Sequence, residues 1–527
     1  MQPKQHMTAP LGQLLLAATL AMSVALESSA AAEWHEADIA ELRAAQIEGK
    51  LSAEELTRYF LDRIERLDGK LASVLAVDPT ALAQARSLDQ ALAGGQAAGP
   101  LHGIPILIKD NIETRDQPTT AGSVALADNH TRRDAPLIGA LRSAGAVILG
   151  KTNLSEWANF RGNNSSSGWS SLGGQTRNPY DLTRTPCGSS SGSGAAVAAG
   201  LAPIAIGTET NGSIVCPAAA NGTVGIKPTV GLVSRTHIVP ISHTQDTAGP
   251  MAMTVADAAV VLAAMMGADS ADESTTERPP WAADELLEAL DNSTLEGLRI
   301  GVMRGLSSFH PKVDEAYDRA VEQLREAGAE IIDDVTLDWP EGFWADAYTV
   351  LLHEFRHTLN QYLASLPDGS LQQLDLADLI EFNRQHAGTQ LPWFGQEHFE
   401  RAEATEGIES NEYLEALERV RKATREEGID RLLQEHALDL LVSPTGGPAW
   451  KIDWVTGDHF GGGSAGLAAI SGYPAVTVPM AMIHGLPVGL SFFSGRYGEP
   501  TLIRAAQAFE RHRGPLPRPA LRPGHTP

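Results

Sequence analysis

One stretch constrains this chain more than any other. Arg184 to Gly200, RTPCGSSSGSGAAVAAG, holds four serines and four glycines in seventeen residues. A flexible Ser/Gly linker would continue into polar sequence. Here Gly194 leads into Ala-Ala-Val-Ala-Ala-Gly-Leu-Ala-Pro-Ile-Ala-Ile-Gly207, an apolar run that predicts burial. The stretch therefore reads as a glycine-rich loop entering a helix, where backbone N–H groups and small side chains crowd together. A second small-residue loop, Gly207-Thr-Glu-Thr-Asn-Gly-Ser-Ile-Val-Cys-Pro217, comes directly after the apolar run. Two such loops so close in sequence imply one site.

A third element supplies a base. Gly103-Ile-Pro-Ile-Leu-Ile-Lys-Asp-Asn111 is a short β-branched run ending in charge, which predicts a buried strand carrying Lys109 out of apolar surroundings. Desolvation lowers a lysine pKa, and a neutral amine can take the proton of a serine hydroxyl.

These pieces together resemble the amidase signature family. The resemblance is carried by GIPILIKDN, CGSSSGSGAAVAAG, GTETNGSIVCP and AANGTVGIKPTVGLVS, and then by ISGYPAVTVPM, GLPVGLSFF and PTLIRAAQAFE near the C-terminus. It runs from about residue 37 to residue 510. It implies an α/β fold with a mixed β-sheet core covered by helices on both faces. It also implies a Ser/cis-Ser/Lys triad placed on Ser213 as nucleophile, Ser189 as bridging serine and Lys109 as base. Ser189 is chosen over Ser190, Ser191 and Ser193 because the family's bridging serine stands 24 residues before the nucleophile, as Ser189 does here. The Gly188–Ser189 peptide bond is then expected to be cis. Thr210, Asn211 and Gly212, with the N–H of Ser213, are the expected oxyanion and substrate-binding loop. The scheme requires no metal or organic cofactor. Substrate choice is expected near Trp157 to Phe160 and Phe460 to Ala465; core packing is the competing role for Trp157 and Phe160.

The chain departs from the family pattern at four positions. Glu209 stands for an aspartate, Asn211 and Ser191 for glycines, and Val215 for an arginine, so an acid-to-arginine pair behind the loop is missing. These changes look like the peptide amidase branch, which implies removal of C-terminal amides from peptides with release of ammonia. Hydrolysis of other acyl or aryl amides is the alternative.

The first residues, MQPKQHMTAPLGQLLLAATLAMSVALESSAAAEW, run basic, apolar, small, the order of an export signal. Residues 1–32 are expected to be a cleaved signal peptide, leaving 33–527 as a single amidase domain in the periplasm or outside the cell. No later segment offers a membrane span. The formal charge of -25 repels phosphate backbones and argues against nucleic-acid partners, including the tRNA of the family's glutamine-hydrolysing subunits. The expected partner is a small-molecule or peptide amide. Cys187 and Cys216 are the two cysteines; they bridge if their segments meet, or are two small buried side chains.

Elsewhere, Ser52 and Glu55 with Leu51 and Leu56 predict a capped and stapled helix over 53–67. Asp134 is expected to cap a helix through Ala144, followed by a strand over 146–149. Beyond an acidic connector at about 268–280, a strand at 298–302, a helix at 311–327 and a strand at 329–332 are predicted. A helix from Trp344 to about Leu363 contains His353-Glu354-Phe355-Arg356-His357, a match to the zinc motif H-E-x-x-H with Glu381 as a conceivable third ligand. A zinc metalloprotease and an inactive exported binding protein are the readings from other classes.

Overall fold

The computed structural model describes residues 33–96, 99–307, 310–333 and 335–522. The expected signal peptide lies outside them. The strands are β1 (Val74–Val77), β2 (Pro105–Lys109), β3 (Val147–Thr152), β4 (Trp169–Ser170), β5 (Gly174–Gln175), β6 (Ile204–Glu209) and β7 (Val224–Lys227). They continue as β8 (Thr247–Ala252), β9 (Arg299–Val302), β10 (Glu330–Ile332), β11 (Leu440–Pro444), β12 (Ala475–Ile483) and β13 (Leu486–Phe493). Eleven of these form one mixed sheet in the order β1-β3-β2-β6-β8-β7-β12-β13-β11-β9-β10; β4 and β5 make a small hairpin. Three central strands, β3-β2-β6, run parallel, and every residue of β2 and β6 is buried. Burial on both faces is why they read as continuous apolar runs.

Strand alternation divides the core in two. Leu440, Val442, Val476 and Phe492 pack with Leu502 and Phe509 of the Glu499–Arg513 helix. Their neighbours Leu441, Ala475 and Phe493 join a different cluster with Val215, Leu432 and Leu467. The sheet is thus covered on both faces, and it incorporates strands from both sides of residues 268–280. No described helix is long and apolar enough to cross a membrane.

The Ala53–Leu67 helix starts at a capping box of Ser52 and Glu55, with Leu51 and Leu56 both buried. Pro136–Ser143 is a helix, but Ala135 is its N-cap and Pro136 its first residue. Asp134 instead accepts the Arg115 N–H at 2.9 Å and pairs with Arg142. Proline needs no N–H at that position and has its φ preset, so the helix starts without a side-chain cap. The strand expected at 146–149 runs further, over Val147–Thr152, and the elements expected after the connector fall at Arg299–Val302, Pro311–Glu326 and Glu330–Ile332.

Candidate active site

The site grows from the C-terminal ends of β2 and β6, adjacent parallel strands in which Ile108 pairs with Ile206. Loops beyond such strand ends are the usual ligand positions in α/β sheets. Register brings Lys109, the last residue of β2, beside Thr208. Lys109 is fully buried, and its Nζ lies 2.8 Å from Ser189 Oγ, 2.8 Å from Thr208 Oγ1 and 3.1 Å from the Thr208 carbonyl. Burial pulls its pKa down to about 7, against the opposing pull of the Asp246 and Glu209 carboxylates. Its neighbour Asp110 is not its partner. Consecutive strand residues face opposite ways, and Asp110 pairs with buried Lys151 at 2.9 Å.

The serine loop sits on β6 and opens the Ser191–Ala198 helix. Its Gly188–Ser189 peptide bond is cis. The other serines are engaged with backbone. Ser190 Oγ donates to the Thr208 carbonyl at 3.0 Å, Ser191 Oγ to that of Cys187 at 2.7 Å, and Ser193 Oγ to that of Ile206 at 3.1 Å. A Cβ on Gly207 would meet Ser190 Oγ at 2.8 Å, so glycine there lets the loop lie against the strand.

Ser213 lies between β6 and the Val215–Asn221 helix. The Ser190 N–H donates to its carbonyl at 3.2 Å, and a Cys187–Cys216 disulfide ties the two loops together. Of the two roles open to the cysteines, the bridge is the one adopted. Gly212 has φ 84°. Among the described residues, the N–H groups of Asn211, Gly212 and Ser213 donate to no protein acceptor, as an oxyanion-binding loop requires. Glu209 compensates for the missing arginine differently. Its carboxylate accepts the N–H groups of Ile214 and Val215 at 2.8 and 3.0 Å, capping the helix after the Ser213 loop. Buried Lys227, its pKa lowered to about 8 by desolvation, feels the Glu209 and Glu499 carboxylates.

Asp246 had no sequence signal. It is half-buried at the edge of a cavity, accepts Thr210 Oγ1 at 2.5 Å and the N–H groups of Ile241 and Ser242, and is the anion that acts most strongly on Lys109. Thr210 therefore faces Asp246 and a cavity of about 560 Å³, while Asn211 and Gly212 face a second cleft of about 300 Å³ shared with Cys187 and Gly188. Of the expected pocket segment, Asn159 lines that cleft, whereas Trp157 and Phe160 pack in a core with Phe355 and Phe399. Trp157, Ala158 and Asn159 all have φ of 50–69°, a left-handed run that non-glycine residues avoid and that turns Asn159 toward the site.

His353, His357 and Glu381 do not converge. Glu354 is fully buried in the Phe343–Ala364 helix and accepts from Ser242 Oγ, from Thr244 Oγ1 at 3.0 Å and from Tyr413 OH at 2.8 Å. His353 Nδ1 is 2.8 Å from the Gly407 carbonyl, and exposed Glu381 bonds Gln385. Among the described residues, the one metal-capable cluster is Glu33, His35 and Glu36. The H-E-x-x-H match holds a buried carboxylate that anchors the 242–244 turn, and among the described residues its histidines form no metal-capable cluster with Glu381.

The Amidase family model matches residues 55–503. The crystal structure of a peptide amidase from Stenotrophomonas maltophilia is 47% identical with a TM-score of 0.88, over 93% of this chain and 99% of that one. An Arabidopsis thaliana protein described as a probable amidase is 38% identical, over 94% of this chain and 95% of its own. A Glutamyl-tRNA(Gln) amidotransferase chain of Salinispora tropica is 34% identical, over 92% of this chain and 98% of its own. With that fold and those strand-end loops, the chain is an amide-hydrolysing enzyme and belongs to the amidase signature family.

Proposed function

We propose that the protein is an exported peptide amidase that removes the C-terminal amide of peptides through an acyl-enzyme on Ser213. The observation that carries this reading is the buried Lys109 amine, with its pKa near 7 and its Nζ 2.8 Å from Ser189 Oγ. Ser213 Oγ attacks the amide carbonyl and gives its proton to Ser189, which passes its own to neutral Lys109. The carbonyl oxygen becomes an oxyanion facing the N–H groups of the 211–213 loop; losing one such donor costs about 10² to 10³ in rate. The C–N bond then breaks as the relay returns the proton to nitrogen, and ammonia leaves. Water attacks the ester along the same relay, freeing the acid and restoring the Ser213 hydroxyl.

The peptide substrate is supported by the similarity to the Stenotrophomonas maltophilia enzyme across nearly the whole chain. Export is supported by the order of residues 1–32 and by a disulfide, which persists in oxidising compartments. The formal charge of -25 disfavours a tRNA-dependent role.

The test is ammonia release from a peptide amide by wild type and Ser213→Ala, with a serine-directed covalent inhibitor mapped by mass. Activity that is lost in Ser213→Ala, survives a chelator and leaves the label on Ser213 supports the reading. Activity that survives in Ser213→Ala and is lost to a chelator overturns it. Release of no ammonia or amine from any amide would favour a binding protein. N-terminal sequencing of protein recovered from the periplasm or medium tests the export.

A further inference from the structure

The cleft of about 300 Å³ in front of Gly212 is walled partly by the expected segment, through Phe460, Gly463 and Ala465, and partly by residues that no motif marked, Trp344 and Trp450 among them. Three large aromatics line it, Trp344, Trp450 and Phe460, and of these Trp344 and Phe460 are each 55% exposed. Neither is loose. The Trp344 ring lies 5.2 Å from that of Trp339 and 5.1 Å from that of Phe343. Phe460 meets Trp450 edge to face at 5.6 Å, and Trp450 Nε1 donates to Asp458 at 2.9 Å. Rings that are propped yet open to solvent are suited to take up an apolar group from outside.

Glycines make room for both. A Cβ at Gly466 would meet the Trp344 ring at 3.0 Å, and one at Gly463 would meet the Phe460 ring at 3.0 Å. Residue 466 also joins the ring to the chemistry, because its neighbour Ala465 stands 3.4 Å from where a Cβ on Gly212 would be, one residue before Ser213. The aromatic wall thus stands beside the loop that carries Ser213.

The charge of the cleft is equally selective. Asp458 is the one charged side chain among the described residues lining it, and its carboxylate already accepts the Ser167 N–H and the Trp450 indole. Among the described residues, no lysine, arginine or histidine lines the cleft to pair with an acidic side chain, and desolvating an unpaired carboxylate there is costly.

We propose that this cleft reads the side chain of the amidated residue, selecting peptide amides that end in an aromatic or large aliphatic residue held against Trp344 and Phe460, and disfavouring acidic ones. The inference rests on the peptide-amidase reading above. It names Trp344 and Phe460 as specificity-determining residues, propped by Trp339, Phe343 and Trp450.

The test is kcat/KM on the amides of N-acetylphenylalanine, N-acetylglycine and N-acetylglutamate (α-amide). The enzymes compared are wild type, Trp344→Ala, Phe460→Ala and Trp393→Ala. Trp393 is a control, an exposed tryptophan stacked on Trp454 and outside the cleft lining. Wild type is expected to favour phenylalaninamide over the other two by about tenfold or more, in the range that apolar pockets supply. Trp344→Ala and Phe460→Ala are each expected to lose about tenfold on phenylalaninamide and under about threefold on glycinamide, with Trp393→Ala keeping the wild-type preference. If the enzyme cleaves all three amides and both cleft variants keep the wild-type ratio, or lose both substrates in parallel, this inference falls and the peptide-amidase reading stands. If wild type cleaves none of the three yet releases amine from aryl or aliphatic amides, the peptide reading falls and takes this inference with it.

Discussion

At the scale of single residues, the proposed relay turns on a lysine that must be neutral. With the Lys109 pKa near 7, kcat/KM is expected to fall as pH drops through about 7, because the protonated amine cannot accept the serine proton. The half-buried Asp246 carboxylate favours the ammonium form, so Asp246→Asn should lower the Lys109 pKa and move that limb to more acidic pH. A pH–rate profile of both enzymes reads the direction; a limb moving alkaline would contradict the assignment. The serines separate in the same way. Ser189 touches Lys109, whereas Ser191 and Ser193 are bonded to backbone carbonyls. Ser189→Ala is therefore expected to lose about 10² or more in kcat, and Ser191→Ala and Ser193→Ala far less; equal losses would undo the role of Ser189. Lys109, Ser189 and Ser213 could be named as candidates because motif and spacing lie within short segments, and the structure brings Lys109 and Ser189 into contact. Asp246 was not, since it acts through Thr210 across 36 residues of chain and belongs to no motif.

At the scale of elements, local chemistry was readable where it closes on itself. The Ser52/Glu55 box needs only its own four residues, and the helix begins where those residues place it. The Asp134 cap is not formed, and the residues of H-E-x-x-H are engaged elsewhere, because both depend on distant partners. Arg142 and the Arg115 N–H claim the aspartate, and Ser242, Thr244 and Tyr413 claim Glu354. Through the 242–244 turn, Glu354 supports Asp246 and hence Thr210. Glu354→Ala removes the carboxylate that accepts from three buried hydroxyls and should cost about 3 kcal/mol in urea unfolding, while a chelator leaves wild-type activity unchanged. Chelator-sensitive activity would return the motif to a metal. The Cys187–Cys216 bridge, spanning a sequence separation of 29, joins the loops of Ser189 and Ser213. The chain-entropy model gives its removal in Cys187→Ser/Cys216→Ser a cost of roughly 3 to 4 kcal/mol, measurable as a lower Tm; an unchanged Tm would mean that the loops are held by packing alone.

At the scale of the whole molecule, the sheet decides whether the acidic connector divides the protein. Alternating strands and helices made a layered α/β fold legible, but the order that sets β7 beside β12 comes from pairing across hundreds of residues, which no local pattern encodes. That pairing joins the chain before residue 268 to the chain after residue 280. The connector is also pinned. Asp272 pairs with Arg235 at 2.7 Å, and Asp269 accepts Ser234 Oγ at 2.7 Å, so the segment that composition marks as a spacer lies against the loop after β7. A nick by a glutamate-specific protease at Glu273 or exposed Glu277 should therefore cut a loop without releasing a domain. Each fragment holds one part of a single sheet, and separating them would open the β7–β12 edge to water. The two fragments are expected to co-elute in gel filtration, keep amidase activity and unfold in one transition. Separate elution, or two calorimetric transitions in the uncut chain, would mean that the halves are independent units and that the continuous sheet is a docking contact between them.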